Sequence, residues 1–277
     1  MLEAAQLLHD LTADIESSTK AHWSESGDAG FGGIVTRWDV FIQDFISGRI
    51  KAQVPGTCVL GEEKAGLLND DRLDQALTVV IDPIDGTQWF VDGRYEYSIL
   101  VTILEDGRPV WSAGVFPRTM EYLVGDTRSL TCYPRDLPRV FPSASSLPRV
   151  CAHYRLARTP HAEAAARLAA ARYELAVNGS GFGTNLTGVR EVVTGQSVGF
   201  ISSKMSIIDG FATAHLIQSA GGVVRFYDVE ASIDQWLQRD DWSHLDFGSD
   251  VGRRTRFIAA RDSVVLNELE ALLMSKA

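Results

Sequence analysis

Apolar residues recur at nearly helical spacing at the start of the chain, at Leu2, Ala5, Leu8 and Ile15. This spacing predicts an amphipathic helix over residues 1–16 whose role is packing. Two apolar pairs, Val40-Phe41 and Phe45-Ile46, follow Asp39 and predict a second helix that begins near this aspartate. A plain N-cap is therefore one possible role of Asp39.

Short apolar runs of β-branched residues predict strands in the first half. Val79–Ile81 indicates a buried strand, and Val59-Leu60 a shorter one before it. Three later runs are separated by turn residues and predict an antiparallel meander: Ser98–Leu104, Pro109–Phe116 and Glu121–Val124. The first half therefore reads as α+β.

Four of the nine prolines lie between Tyr133 and Val150, which indicates a linker. We expect two domains, residues 1–140 and residues 141–277. The second has α/β character. Its predicted helices are Ala162–Leu175, Gly188–Thr194, Gly210–Ala220 and Ser263–Ser275, and its strands Val198–Ile201, Val223–Phe226 and Thr255–Ala260.

Composition narrows the range of partners. The 277-residue chain is 45% hydrophobic, enough for substantial cores, and its net charge of −10 disfavours nucleic acid as a partner. No apolar stretch approaches the roughly 18 residues of a membrane span, and the first residues lack the basic start of a secretion signal. The three cysteines, Cys58, Cys132 and Cys151, show no metal-ligand spacing and predict reduced thiols. We expect a cytoplasmic protein with no membrane or nucleic-acid partner.

Asp82 and Asp85 stand three residues apart at the end of a predicted strand. Asp-Pro and Asp-Gly are common turn dipeptides, so each carboxylate has an alternative role as a hydrogen-bond acceptor for its own backbone. The residue order also predicts Asp85 as the N-cap of a short helix whose first free amides belong to Gly86 and Thr87. Helix N-termini bind phosphate and carboxylates bind Mg²⁺, so this stretch predicts a site for both.

Four segments resemble, in the same order, those of the inositol monophosphatase superfamily. Asp82-Pro-Ile-Asp-Gly-Thr87 resembles its metal-binding signature. The others are Val35-Thr-Arg-Trp-Asp39, Gly61-Glu-Glu63 and the stretch from Ile208-Asp209 to Gly221-Gly222-Val223. Together they span most of the chain. The resemblance implies a layered αβαβα sandwich of the inositol monophosphatase and fructose-1,6-bisphosphatase type, often dimeric.

The same resemblance implies a Mg²⁺-dependent phosphomonoesterase with two or three ions. Glu62, Asp82 and the Ile84 carbonyl would hold one ion, and Asp82, Asp85 and Asp209 a second. Thr87 would donate a hydrogen bond to Asp39, and the pair, with Glu62 or Glu63, would orient the attacking water. Asp85 and the Gly86 and Thr87 amides would face the phosphate. Without the resemblance, Asp209 would be read as an N-cap.

Residues on the predicted substrate side differ from those of inositol-hydrolysing members. Ser202 stands where inositol-hydrolysing members carry a glutamate for the sugar hydroxyls, which puts inositol itself in doubt. Lys204 is either a solvated lysine or a contact for a second anionic group. Gly183 and Thr184 match another substrate-side segment of the family.

The alternatives are therefore a phosphatase for 3′-phosphoadenosine phosphate, fructose bisphosphate or histidinol phosphate, or a noncatalytic metal-binding relative. Two stretches have no predicted metal or substrate residue. Gly27–Gly33 reads as a flexible loop, or a mobile lid by resemblance, and Asp228–Arg254 as an insertion.

Overall fold

A computed structural model of the protein describes residues 1–17, 36–63, 77–134, 147–153, 162–177, 183–227, 238–239 and 254–274. The glycine-rich stretch Gly27–Gly33 and nearly all of Asp228–Arg254 lie outside these ranges. The helices are α1 Leu2–Ser17, α2 Arg37–Gln53, α3 Thr87–Val91, α4 Ala162–Ala170, α5 Asn185–Val193, α6 Ile207–Ser219 and α7 Ser263–Met274. No helix in the described ranges is long and apolar enough to span a bilayer.

The strands form two mixed sheets. The first has the order β1-β2-β3-β4-β5-β6, with β1 parallel to β2 and the other pairs antiparallel. Its strands are β1 Cys58–Gly61, β2 Leu77–Asp85, β3 Ser98–Glu105, β4 Arg108–Phe116, β5 Glu121–Asp126 and β6 Leu130–Tyr133.

The second sheet has the order β11-β10-β12-β9-β7-β8. Strand β7 is parallel to both β8 and β9, whereas the remaining pairs are antiparallel. Its strands are β7 Arg149–Ala152, β8 Glu174–Val177, β9 Gly199–Ser206, β10 Val223–Tyr227, β11 Gln238–Arg239 and β12 Arg254–Ala260.

Helices and sheets alternate in five layers. Helices α1 and α2 cover the outer face of the first sheet, and α4 and α7 cover the outer face of the second. Helices α5 and α6 lie between the sheets, and α6 contacts strands of both. The αβαβα sandwich expected from the resemblance is confirmed.

Helix α6 is apolar on nearly all sides because it occupies the central layer, and eleven of its thirteen residues are buried. Its first turn lies beside the carboxyl end of β2, and the two elements are in contact. This placement brings a residue near position 209 close to the motif that follows Ile81.

Most predicted elements appear close to their expected bounds, including α1, the β3–β5 meander and α7. Two predictions in the second half were wrong in part. The helix predicted over Ala162–Leu175 ends at Ala170, because Glu174 and Leu175 pair with β7. Arg149 and Val150, assigned to the linker, form the start of β7 inside the second sheet.

The division at residues 140 and 141 falls outside the described ranges. Every strand of the first sheet precedes it and every described strand of the second sheet follows it, which supports the two-domain division that we propose.

Candidate active site

Three carboxylates from different parts of the chain converge at one edge of the first sheet. Glu62 follows β1 and its amide donates to the Ile81 carbonyl at 3.0 Å. Asp82 lies in β2, and Asp209 lies in the first turn of α6. One oxygen from each lies within 4.8 Å of the others. The two halves of the chain therefore contribute jointly to this acidic cluster.

The cluster fits a divalent cation. Asp82 is only 2% exposed, and its pKa is raised well above the usual range by burial and by the charges of Glu62, Asp209 and Asp85. Like charges held this close in a buried site are costly unless a cation or a proton offsets them. Carboxylate oxygens are the ligands that Mg²⁺ prefers, so the donor set suits that ion.

Asp85 has a different environment from the one expected from the sequence. It lies within β2 after a bulge that shifts the register against β3, and it does not cap α3. Its Oδ2 accepts from the Ser98 hydroxyl at 2.9 Å and the Leu186 amide at 3.2 Å, and its Oδ1 accepts from Asn185 Nδ2 at 3.0 Å. Burial raises the pKa of Asp85 to about 6, although these donors oppose the rise.

The N-cap of α3 is Gly86, with a φ of 89°. This left-handed conformation favours glycine, and a Cβ here would lie 2.6 Å from Thr184 Cγ2. Gly183 lies close to Glu96, since a Cβ at Gly183 would lie 2.2 Å from the Cβ of Glu96. Of the predicted substrate residues, Thr184 therefore packs directly against Gly86, and Gly183 packs against Glu96.

Thr87 and Asp39 form the hydrogen bond implied by the resemblance. Thr87 Oγ1 lies 3.1 Å from Asp39 Oδ1, and 3.0 Å from the carbonyl of Ile84. The other oxygen of Asp39 accepts from the backbone amide and hydroxyl of Thr36, at 2.7 and 2.6 Å. Thr36 is the N-cap of α2 and Asp39 the third residue of a capping box, so Asp39 is not the N-cap itself.

Two further carboxyl groups next to the cluster have raised pKa values. Burial raises the pKa of Asp39 to about 6, against the effect of its hydrogen bonds. Burial, with the charges of Glu62 and Asp39, raises the pKa of Glu63 to about 8. Several groups in this small region therefore change protonation near neutral pH, which is typical of catalytic sites.

The remaining predicted substrate residues lie on β9. Ser202 is buried, and its hydroxyl donates to the Thr255 carbonyl of β12 at 3.2 Å. Lys204 belongs to the same strand, but its side chain lies outside the described part of the structure.

The N-cap of α6 is Ser206, whose Oγ accepts from the amide of Ile208, so Asp209 is not an N-cap. Sequence reasoning missed Ser98 and Asn185 as partners of Asp85. It also missed the capping box at Thr36-x-x-Asp39, which has a recognisable sequence signature.

Part of the chain is similar in sequence to a curated protein. A stretch of 78 residues is 33% identical to the 3′(2′),5′-bisphosphate nucleotidase CysQ of Haemophilus influenzae, covering 28% of this chain and 29% of that protein. The match thus spans less than a third of that curated relative.

Solved structures match over nearly the whole chain. The extragenic suppressor protein suhB of Bartonella henselae superposes with a TM-score of 0.71 at 19% identity, covering 100% of this chain and 96% of that one. An IMPase/NADP phosphatase complexed with Mg²⁺ and phosphate superposes with a TM-score of 0.66 at 16% identity, covering 98% and 93%. At these identities the likeness shows the fold.

The sequence profile of the inositol monophosphatase family matches residues 2–272. This range includes every segment that resembled the family and all of the carboxylates described above. The chain belongs to the inositol monophosphatase family.

Proposed function

We propose that the protein is a Mg²⁺-dependent phosphomonoesterase that hydrolyses a small phosphorylated alcohol such as an inositol or sugar phosphate. One observation carries the proposal: the carboxylates of Glu62, Asp82 and Asp209 converge within 4.8 Å, and β2, which holds Asp82, leads directly into the Thr87–Asp39 pair. Membership of the inositol monophosphatase family supports the reaction type.

Glu62, Asp82 and Asp209 would hold Mg²⁺. In our proposal the Ile84 carbonyl and Asp85 complete two or three ion sites, with Asp82 shared between them. Bound Mg²⁺ would lower the pKa of water and stabilise the charge on the phosphate and leaving oxygens. Asp85 would bind an ion through carboxylate oxygens that already accept hydrogen bonds from Ser98, Asn185 and Leu186.

The Thr87 hydroxyl would orient the attacking water. While Thr87 donates to Asp39, its oxygen lone pairs can accept a proton from water, and Asp39 can take up the proton that Thr87 gives. Thr36 holds the other oxygen of Asp39, so the acceptor is fixed in orientation. Glu63, with its raised pKa, is a second candidate for proton transfer.

Water attacks phosphorus as the bond to the alcohol oxygen breaks, and the alcohol leaves with a proton. The amides of Gly86 and Thr87 would hold the phosphate oxygens. Thr184 would form the wall beside them, since it packs against Gly86, and Gly183 would extend that wall next to Glu96. Ser202 and Lys204 on β9 would lie on the side of the alcohol.

Phosphate release tests the proposal directly. The panel holds inositol phosphates, sugar and nucleoside monophosphates, histidinol phosphate, fructose bisphosphate and 3′-phosphoadenosine phosphate, each with Mg²⁺ and with EDTA. We expect turnover of one substrate class that EDTA abolishes. An Asp82→Asn variant with unchanged activity would contradict the assignment of this site.

A bisphosphate nucleotidase is the second candidate, because the 78-residue match is to an enzyme named for that activity. It predicts a kcat/KM for 3′-phosphoadenosine 5′-phosphate at least 100-fold above that for simple monophosphates. Mg²⁺ binding by calorimetry without turnover of any panel member would instead favour the noncatalytic alternative.

We further propose that the protein is a cytoplasmic homodimer. The free cysteines support a reducing compartment, and the family resemblance supports dimerisation. Light scattering after size-exclusion chromatography would test the dimer, with a single species near 30.4 kDa as the opposing result.

A further inference from the structure

Gln43 lies one helical turn after Asp39 on α2, and its side chain points toward the same edge of the first sheet. The residue is 1% exposed. Its Nε2 donates to the Glu63 carbonyl at 2.8 Å, and its Oε1 accepts from the Glu63 amide at 2.8 Å. One planar carboxamide thus pairs with both backbone groups of one residue, as a neighbouring strand would.

The backbone beyond β1 explains why this pairing is needed. Glu62 turns its amide toward β2 and donates to Ile81, so Glu63, the next residue, directs its own amide and carbonyl away from β2. Buried backbone groups without partners are costly. In the described part of the chain β1 is the first strand of the sheet order, and α2 supplies the missing partner through Gln43.

Gly61 makes the approach possible. A Cβ at Gly61 would lie 2.0 Å from Gln43 Cδ, 2.1 Å from Oε1 and 2.4 Å from Nε2. The amide therefore occupies the space that any side chain at position 61 would need. Gly61 at the end of β1 and Glu63 both contact Gln43, so Glu62, the cluster member, lies between two residues that α2 contacts.

A neutral amide also suits the charge of this region. A glutamate at position 43 would have the same shape, but it would lack the donor to the Glu63 carbonyl when ionised. It would also place another negative charge beside Glu63, near Glu62 and Asp39, where burial and neighbouring charges already disfavour ionisation.

We propose that Gln43 is a positioning residue for the metal ligands: its carboxamide fixes the Glu63 backbone and thereby holds the Glu62 carboxylate against Asp82 and Asp209. This inference rests on the proposed function, because it assigns Mg²⁺ to that cluster. Groups that orient metal ligands typically change metal affinity by about 10- to 100-fold when they are removed.

The test is Mg²⁺ binding by isothermal titration calorimetry, with Gln43→Met and Gln43→Glu. Methionine keeps the length and volume of the side chain without its hydrogen bonds. We expect the dissociation constant to rise at least tenfold in Gln43→Met and further in Gln43→Glu. The matched control is Ile46→Ala, a buried substitution on the same helix that should leave the constant within twofold.

A double-mutant cycle keeps the proposal testable if Gln43→Met folds poorly. Gly61→Ala retains Gln43 and every ligand, but its methyl group displaces the amide, so the same loss of affinity is expected. In a Gln43→Ala background the space is open, and Gly61→Ala should then change affinity by less than twofold.

The outcomes separate the two proposals. Wild-type protein that binds no Mg²⁺ overturns the metal assignment and the role of Gln43 together. Wild-type protein that binds Mg²⁺, with constants within twofold in Gln43→Met and Gly61→Ala, overturns only the role of Gln43.

Discussion

The hydroxyl of Thr87 lies 3.1 Å from Oδ1 of Asp39, and this contact joins the start of α3 to the first turn of α2. The two residues are 48 positions apart in sequence. Because the other carboxylate oxygen is held by Thr36, the acceptor that faces Thr87 cannot rotate without breaking the capping box of α2. One side chain therefore belongs to the capping box of α2 and also accepts from Thr87, the hydroxyl for which we propose a catalytic role.

Thr87→Val keeps the shape of residue 87 and removes its hydroxyl. We expect kcat to fall by about 10²–10⁴-fold, the range for a general acid–base group, while Mg²⁺ affinity changes little. The measurement is steady-state phosphate release together with calorimetry. Thr87→Ser is the control and should keep most of the activity; equal losses in both variants would point to packing instead of the hydroxyl.

Asp209→Asn removes one charge from the acidic cluster. In EDTA we expect the variant to unfold at a temperature equal to or above that of the wild type, because the charge of Asp209 adds to those crowded around buried Asp82 when no cation is bound. With Mg²⁺ the order should reverse. At a Mg²⁺ concentration 100 times its dissociation constant, the wild type gains about 2.7 kcal/mol in free energy of unfolding, whereas the variant gains little.

Differential scanning fluorimetry with and without Mg²⁺ measures both effects. Asp106→Asn is a matched control, since Asp106 is exposed in the β3–β4 turn and its φ of 47° suits asparagine as well. If Mg²⁺ raised the unfolding temperature of Asp209→Asn as much as that of the wild type, Asp209 would not be a ligand of the ion.

A buried ion pair connects the two halves away from the acidic cluster. Arg190 Nη1 of α5 lies 2.7 Å from Glu121 Oε2 of β5, with both side chains less than 10% exposed. Breaking a buried pair by removing one partner leaves the other charge uncompensated and costs about 3–5 kcal/mol. We expect this loss for Glu121→Gln in urea unfolding.

The double variant Glu121→Gln, Arg190→Met should lose much less than the sum of the single variants, because no buried charge is left. The exposed pair between Arg49 and Glu3 provides the comparison, and Glu3→Gln should have a far smaller effect. Additive losses in the double variant would show that the two charges do not act as a pair.

We expect His215 of α6 to make folding sensitive to acid. Its Nδ1 lies 2.9 Å from Ser112 Oγ, which lies 3.0 Å from Thr102 Oγ1. Burial lowers the pKa of His215 to about 4. Because the unfolded chain takes up the proton near pH 6.5 and the folded chain only near pH 4, stability is complete above pH 6.5 and is lost as pH falls between these values.

When the pH falls from 7.5 to 5.0, protonation linked to His215 alone should lower the free energy of unfolding by about 2 kcal/mol. The measurement is urea unfolding at both pH values for the wild type and His215→Asn, whose amide can still reach Ser112. The acidic cluster titrates in both proteins, so the difference between them isolates His215. An identical pH dependence would contradict the assignment.

Local sequence pattern was sufficient where an element carries its own periodicity. The β3–β5 meander and the closing helix α7 were predicted for this reason. Glu174 and Leu175 were misread as the end of a helix because both residues favour helices, whereas pairing with β7 decides their conformation.

The residues of the candidate site also fall into those that local sequence predicts and those that depend on contacts between distant elements. Asp82, Asp209 and Glu62 could be predicted as ligands because the short segments around them resemble those of a known family. The donors to Asp85 could not, because Ser98 and Asn185 come from elements 13 and 100 positions away. The amide of Gln43 was missed for the same reason, since only the packing of α2 on Gly61 brings it to Glu63.

The acidic cluster also has a consequence for the order of events during synthesis. Its members stand at positions 62, 82 and 209, and α6 must be seated between the two sheets before Asp209 reaches the others. A growing chain that has passed only position 200 therefore has the signature segment but cannot complete the cluster. We expect cation binding to be among the last steps of maturation, and a bound ion would report that the central layer is in place.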